Sequence, residues 1–132
     1  MGRVEHWPLR LDDLISEARN RPFEWGSHDC GTFAAEVVHT LTGQELPLPR
    51  GYSTERGAKL AMRRKTGRSD MAGATTYFLG PPLDSPLQAQ RGDVVLHETQ
   101  ALGVCIGAQA MCLSESGLVA VPLSDCVTAW RV

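Results

Sequence analysis

The feature of this sequence that most narrows its possible folds is a change of period at Pro81-Pro82. Before the prolines, apolar residues recur at three- and four-residue spacing. After them, short apolar runs are separated by glycine and polar turns. In the first half, Pro8 to Arg21 places Leu11, Leu14, Ile15 and Ala18 on one helical face. Asp12 and Asp13 lie near its start and Arg19 and Arg21 at its end, as the helix dipole prefers. Asp29 is a suitable N-cap for a second helix carrying Ala34, Val37, Val38 and Leu41, with Gly43 as its stop signal. Leu46-Pro47-Leu48-Pro49-Arg50-Gly51 reads as a loop, because two prolines break both periodic patterns. A third helix is expected from Ser53 to about Thr66, capped by Ser53 or Thr54, and a shorter fourth from Ser69 to Leu79. Strands are expected over Asp93 to Glu98, Ala101 to Ile106, Gln109 to Ser114, Gly117 to Val121 and Val127 to Val132. Helices followed by strands predict an α+β fold, with N-terminal helices packed on a C-terminal antiparallel sheet.

Composition sets the outer limits. A length of 132 residues fits one domain over 1–132, and the net charge of −2 lacks the basic excess of a nucleic-acid binder. The basic run from Lys59 to Arg68 reads as a solvated helix face. No apolar stretch approaches the length of a membrane span, and no charged-then-apolar leader pattern is present, so synthesis in the cytoplasm is expected. The aromatic residues are few, and Trp25 and Trp130 read as packing elements. Cys30, Cys105, Cys112 and Cys126 include no Cys-x-x-Cys pair, so the expectation is reduced core thiols with no metal and no cofactor.

Chemistry is suggested at Phe23-Glu24-Trp25-Gly26-Ser27-His28-Asp29-Cys30-Gly31-Thr32-Phe33. With Asp29 as N-cap, Cys30 falls in the first helical turn, where unsatisfied backbone N–H groups favour a thiolate. The Asp29 carboxylate opposes ionisation, so a nucleophilic Cys30 needs an imidazole partner.

This segment resembles the nucleophile region of the NlpC superfamily, papain-like cysteine peptidases that cut peptide stems of bacterial cell walls. Arg91-Gly92-Asp93-Val94-Val95-Leu96 and Ala101-Leu102-Gly103-Val104-Cys105-Ile106-Gly107 are similar to the two strand motifs of that family, in the right order. More narrowly, the chain resembles small NlpC-like proteins encoded among tail-tip genes of long-tailed phages and gene transfer agents, which often end in a similar Ala-Trp-Arg-Val. The resemblance implies a papain-like fold with Cys30 at the nucleophile position. It also implies that the general base belongs at Ala101, where this chain has no histidine. The residue that would orient an imidazole falls near Met111 or Cys112.

Among the four histidines, His97 is the candidate substitute base, since it ends a strand close to the lost position. His28 reads as a loop or rim residue, and His6 as part of the N-terminal segment. His39 lies over two turns along the helix from Cys30, about 13 Å by helical rise. Without a base, a thiol with a pKa of about 8.5 is mostly protonated at neutral pH. The expected function is therefore a structural component of a phage tail tip or baseplate with a degenerate peptidase site, working on the virion after assembly in the host cytoplasm. Its partners would be tail-tip hub and receptor-binding proteins, with the loop around Leu46 to Pro49 as a candidate contact. The alternative is a cell-wall cysteine peptidase or amidase acting on peptidoglycan during phage entry.

Overall fold

The computed structural model describes residues 2–132. Its elements run α1 (Trp7–Arg19), α2 (Cys30–Thr42), α3 (Glu55–Thr66), α4 (Met71–Leu79), then β1 (Val94–His97), β2 (Leu102–Cys105), β3 (Gln109–Ser114), β4 (Gly117–Pro122) and β5 (Cys126–Trp130). Two short 3-10 turns, Pro86–Gln88 and Leu123–Asp125, were not expected from the sequence. The α+β arrangement is as expected, with four helices and one antiparallel five-stranded sheet.

Local chemistry explains the helix ends. Asp29, Thr54 and Asp70 each accept a bond from a backbone N–H in the first turn of α2, α3 and α4. Asp29 and Thr32 form a reciprocal capping box, which fixes the start of α2 at Cys30.

The strand order is β4-β3-β2-β1-β5, so the last strand returns to pair with the first. Alternation divides the sheet cleanly into two faces. Leu102, Val104, Met111 and Leu113 face the helices, meeting Ala34, Val37, Val38 and Leu41 of α2 in two adjoining clusters. Val95, Cys105, Cys112 and Ala129 face the other way and are covered by Leu83, Ala89 and Leu123 from the two 3-10 regions. Both faces are therefore buried, which is why β1 and β2 read as nearly continuous apolar runs. Gly103 lies opposite Cys112, and a Cβ there would fall 2.3 Å from the Met111 carbonyl oxygen.

Trp130 at the end of β5 is fully buried, and its Nε1–H donates to Thr76 Oγ1 of α4 at 3.1 Å. Trp130→Phe removes that bond and part of the indole volume, with an expected loss of about 2 kcal/mol in urea unfolding. A loss below about 0.5 kcal/mol would show that α4 is not held through this contact.

The chain ends meet on one buried carboxylate. Asp93 Oδ1 accepts from Arg3 Nη2 and the Val132 amide, both at 3.0 Å. Its Oδ2 accepts from the Gln90 amide at 2.9 Å and lies 3.0 Å from Arg131 Nη1. Arg3 also donates to the carbonyls of Val132 and Arg91 and stacks over Trp7, 4.2 Å from the ring centroid. Gly92 is required beside it, because a Cβ at that position would meet Arg3 Nη1 at 2.7 Å.

Candidate functional site

Cys30 opens on a cleft of about 540 Å³ built from six parts of the chain. The α2 N-terminus supplies Asp29, Cys30 and Gly31; the aromatic turn supplies Phe23 and Trp25. Tyr52, Lys59 and Met62 come from the loop and helix of α3, and Arg68, Asp70 and Met71 from the start of α4. Thr99, Gln100 and Ala101 of the β1–β2 turn and Leu113, Ser114 and Glu115 at the end of β3 complete it.

Asp29 organises this region. Its Oδ1 accepts from the Thr32 amide at 2.9 Å, while Oδ2 accepts from the Gly26 amide at 2.9 Å and the Tyr52 hydroxyl at 2.7 Å. A buried carboxylate that already accepts from three donors is committed mainly to structure, with at most one acceptor position left over. Burial drives the Tyr52 phenol far above its usual range, and the bonded Asp29 carboxylate adds to the shift, so Tyr52 stays protonated. Gly26 has φ of +91° and carries the Tyr52 carbonyl oxygen 2.4 Å from where its Cβ would be. The Trp25-Gly26 pair of the sequence motif thus receives Tyr52.

The Cys30 thiol is pushed up, first by burial and then by the Asp29 charge; the Leu102 amide, with those of Gly31 and Cys30, pulls the other way. Burial outweighs the helix N-terminus, so the thiol remains protonated near neutral pH. All four cysteines are free, and Cys105, Cys112 and Cys126 are buried in the sheet. Burial raises Cys112 to about 12 and Cys126 to about 11.

Ala101 lines the cleft beside Cys30, with the neighbouring Leu102 amide directed at the sulfur. The other candidate residues are placed differently. His97 does not line the cleft; its Nδ1 is 2.8 Å from Thr99 Oγ1, and it lies opposite Cys126 across a register shift in the β1–β5 pair. His28 is not a rim residue, because it is 2% exposed, with Nε2 3.3 Å from the Ala18 carbonyl and Nδ1 without a partner. The strand segment facing position 101 is also later than expected. Gly103 pairs with Cys112 and Val104 with Met111, which carries the cleft edge of β3 to Leu113, Ser114 and Glu115. Met111 and Cys112 are buried away from it on opposite sheet faces.

Tyr52, Ser114 and Glu115 were not foreseen. Tyr52 meets Asp29 across 23 residues, and the only sequence sign of it is the glycine at 26 that makes room for its carbonyl. Among the described residues, the group with metal-ligand spacing is His97, Glu98 and Asp125, whose ligand atoms lie within 4.8 Å of one another. None of the three lines the cleft.

These features define an α+β protein with a partly exposed cysteine at a helix N-terminus, facing a mixed polar and apolar cleft. The chain belongs to the family described as a domain of unknown function (DUF6950), whose model matches residues 2–132. No curated protein matches it.

Proposed function

We propose that this protein is a structural component of a long-tailed phage tail tip, built on an NlpC-like, papain-like fold whose peptidase site has lost its base. The observation that carries this reading is that Cys30 and Ala101 line one cleft whose lining includes no histidine. In the resembled family the residue at that position deprotonates the thiol. Here burial keeps the thiol protonated, Asp29 already accepts three structural hydrogen bonds, and Tyr52 holds its proton. Deprotonation of the nucleophile and protonation of a leaving amine are both unprovided for. The cleft then serves to hold a neighbouring tail protein, with hub and receptor-binding proteins as the partners. No helix is long and apolar enough to cross a membrane. The loop expected to make contact keeps Pro47 exposed but turns Leu46 and Leu48 into a small apolar groove beside α4.

The test combines reactivity with turnover. Alkylation of Cys30 by iodoacetamide should be slower than that of a free thiol at pH 7 and should rise at a higher pH than it does for that thiol, because the raised pKa withholds the thiolate. Purified protein should release no peptides from cell-wall fragments, since loss of general-base assistance alone costs about 10²- to 10⁴-fold. A tail-tip preparation lacking this chain by mass spectrometry would remove the virion role.

One observation favours the second reading, a cell-wall peptidase or amidase. The amides of Cys30, Gly31 and Leu102 around the sulfur are donors that could also steady a developing oxyanion. That enzyme would need a histidine from a neighbouring subunit, because His97 lies outside the cleft. Peptidoglycan cleavage abolished by Cys30→Ser would establish it.

A further inference from the structure

Charge is divided unevenly along this chain. Residues 50–68 hold seven cations, Arg50, Arg56, Lys59, Arg63, Arg64, Lys65 and Arg68, against one anion, Glu55. The rest holds six cations and fourteen anions, so a segment of net charge +6 is set against a remainder of −8. The structure gathers that segment onto α3 and its flanks and leaves all seven cations exposed. Lys59 pairs with Glu55 at 3.2 Å; among the described residues the other six form no ion pair.

The helix itself is thinly attached. Thr66 is its one buried residue, while Leu60 is 47% exposed although it is the largest aliphatic side chain of the helix. Arg56, Leu60 and Arg64 stand four residues apart and Arg63 three beyond Leu60, so the leucine lies in the middle of an arginine-lined stripe. Lys59 stands three residues after Arg56 and four before Arg63, and Arg68 four beyond Arg64, and like charges at these spacings repel one another. An anion laid along the stripe relieves that repulsion, and Leu60 supplies an apolar anchor at its centre.

We propose that the outer face of α3 is a docking surface for a short acidic protein segment carrying an apolar residue between its carboxylates. The footprint decides between this and the other polyanions. A twelve-residue helix spans about 18 Å. A nucleic acid carries a charge about every 1.7 Å and continues past that length, as an anionic membrane does in two dimensions. Either would run on past the patch over a remainder of net charge −8, whereas a helical segment of eight or so residues, about 12 Å long, ends within it. Arginine suits this role because its planar fork engages carboxylates in pairs. The proposal rests on charge and exposure and stands whether or not the protein comes from a phage tail.

The experiment titrates the intact protein against a fluorescein-labelled peptide of sequence Glu-Glu-Leu-Glu-Glu-Leu-Glu-Glu. Binding is expected at about 20 mM salt and should weaken at least tenfold at about 300 mM, as screening shortens the reach of the charges. The double variant R63E/R64E should lose at least tenfold, and Leu60→Ala several-fold with the same salt dependence. Arg56→Gln with Arg63→Gln provides a milder pair should charge reversal disturb folding. A single-stranded oligonucleotide of equal charge and vesicles with one third anionic lipid should each bind at least tenfold more weakly than the peptide. The proposal is overturned if the arginine variants bind the peptide like the natural protein, if no binding occurs at low salt, or if oligonucleotide or vesicles match the peptide.

Discussion

Asp93→Ala should destabilise the protein by about 3–5 kcal/mol and lower its Tm by on the order of 10 °C. The carboxylate is fully buried and receives two guanidinium groups and two backbone amides. Removing it leaves Arg3, largely shielded from solvent, without its counter-charge and orphans the Val132 and Gln90 amides. Asp93→Asn keeps the shape and part of the hydrogen bonding, so it should cost less than the alanine variant. Urea unfolding of both variants measures the difference. A loss under about 1 kcal/mol for alanine would mean that the ends of the chain are held by other contacts.

Gly26→Ala should cost about 2–4 kcal/mol and break the Tyr52–Asp29 hydrogen bond. One part of the loss is conformational, because φ of +91° is unfavourable for any residue with a Cβ, by about 1 kcal/mol. The larger part is steric, since a backbone carbonyl 2.4 Å from the new methyl has to move and takes Tyr52 with it. Gly43 supplies the control. It has φ of +77° and no atom within 4 Å of where its Cβ would be, so Gly43→Ala should show the conformational cost alone. Equal thermal shifts for the two variants would dismiss the steric account. With Tyr52 displaced, Cys30 in the Gly26→Ala protein should also alkylate faster than in the natural protein.

The helices and strands were legible because each carries its own local signal. Asp29, Gly43 and Thr54 mark ends that the structure keeps, and Gln109–Ser114 has the expected bounds. The two 3-10 turns were missed because three residues are too few for a period. The place of β5 beside β1 is a tertiary choice that no local pattern encodes. At the site, Cys30 in the first turn of α2 followed from Asp29 as its cap. His28 was misread because its position between α1 and α2, two residues before the start of a helix, looks like a turn in sequence and is an interior site in space. Alternation left open which side of the sheet His97 would take. The answer depends on a shift in register that sequence spacing does not reveal. The cleft edge of β3 was placed two residues early for a related reason: the length of the β2–β3 hairpin, and not similarity of motif, sets which residue comes opposite position 101.

The meeting of Arg3 and Val132 at Asp93 changes the meaning of the helix-then-strand order with which the sequence begins and ends. Across the described residues the path nearly returns on itself, so the segments around Arg3 and Val132 behave as one structural unit. In a domain made of residues 2–132, a short linker from Val132 to Gly2 would preserve every contact described while the chain was opened elsewhere, for example in the exposed turn at Ser116. Such a molecule would start on β4 at one edge of the sheet, run through β5 into the helices, and finish on β3. Its fold would be specified by which surfaces bury one another, with the order of synthesis left to affect only how quickly they meet.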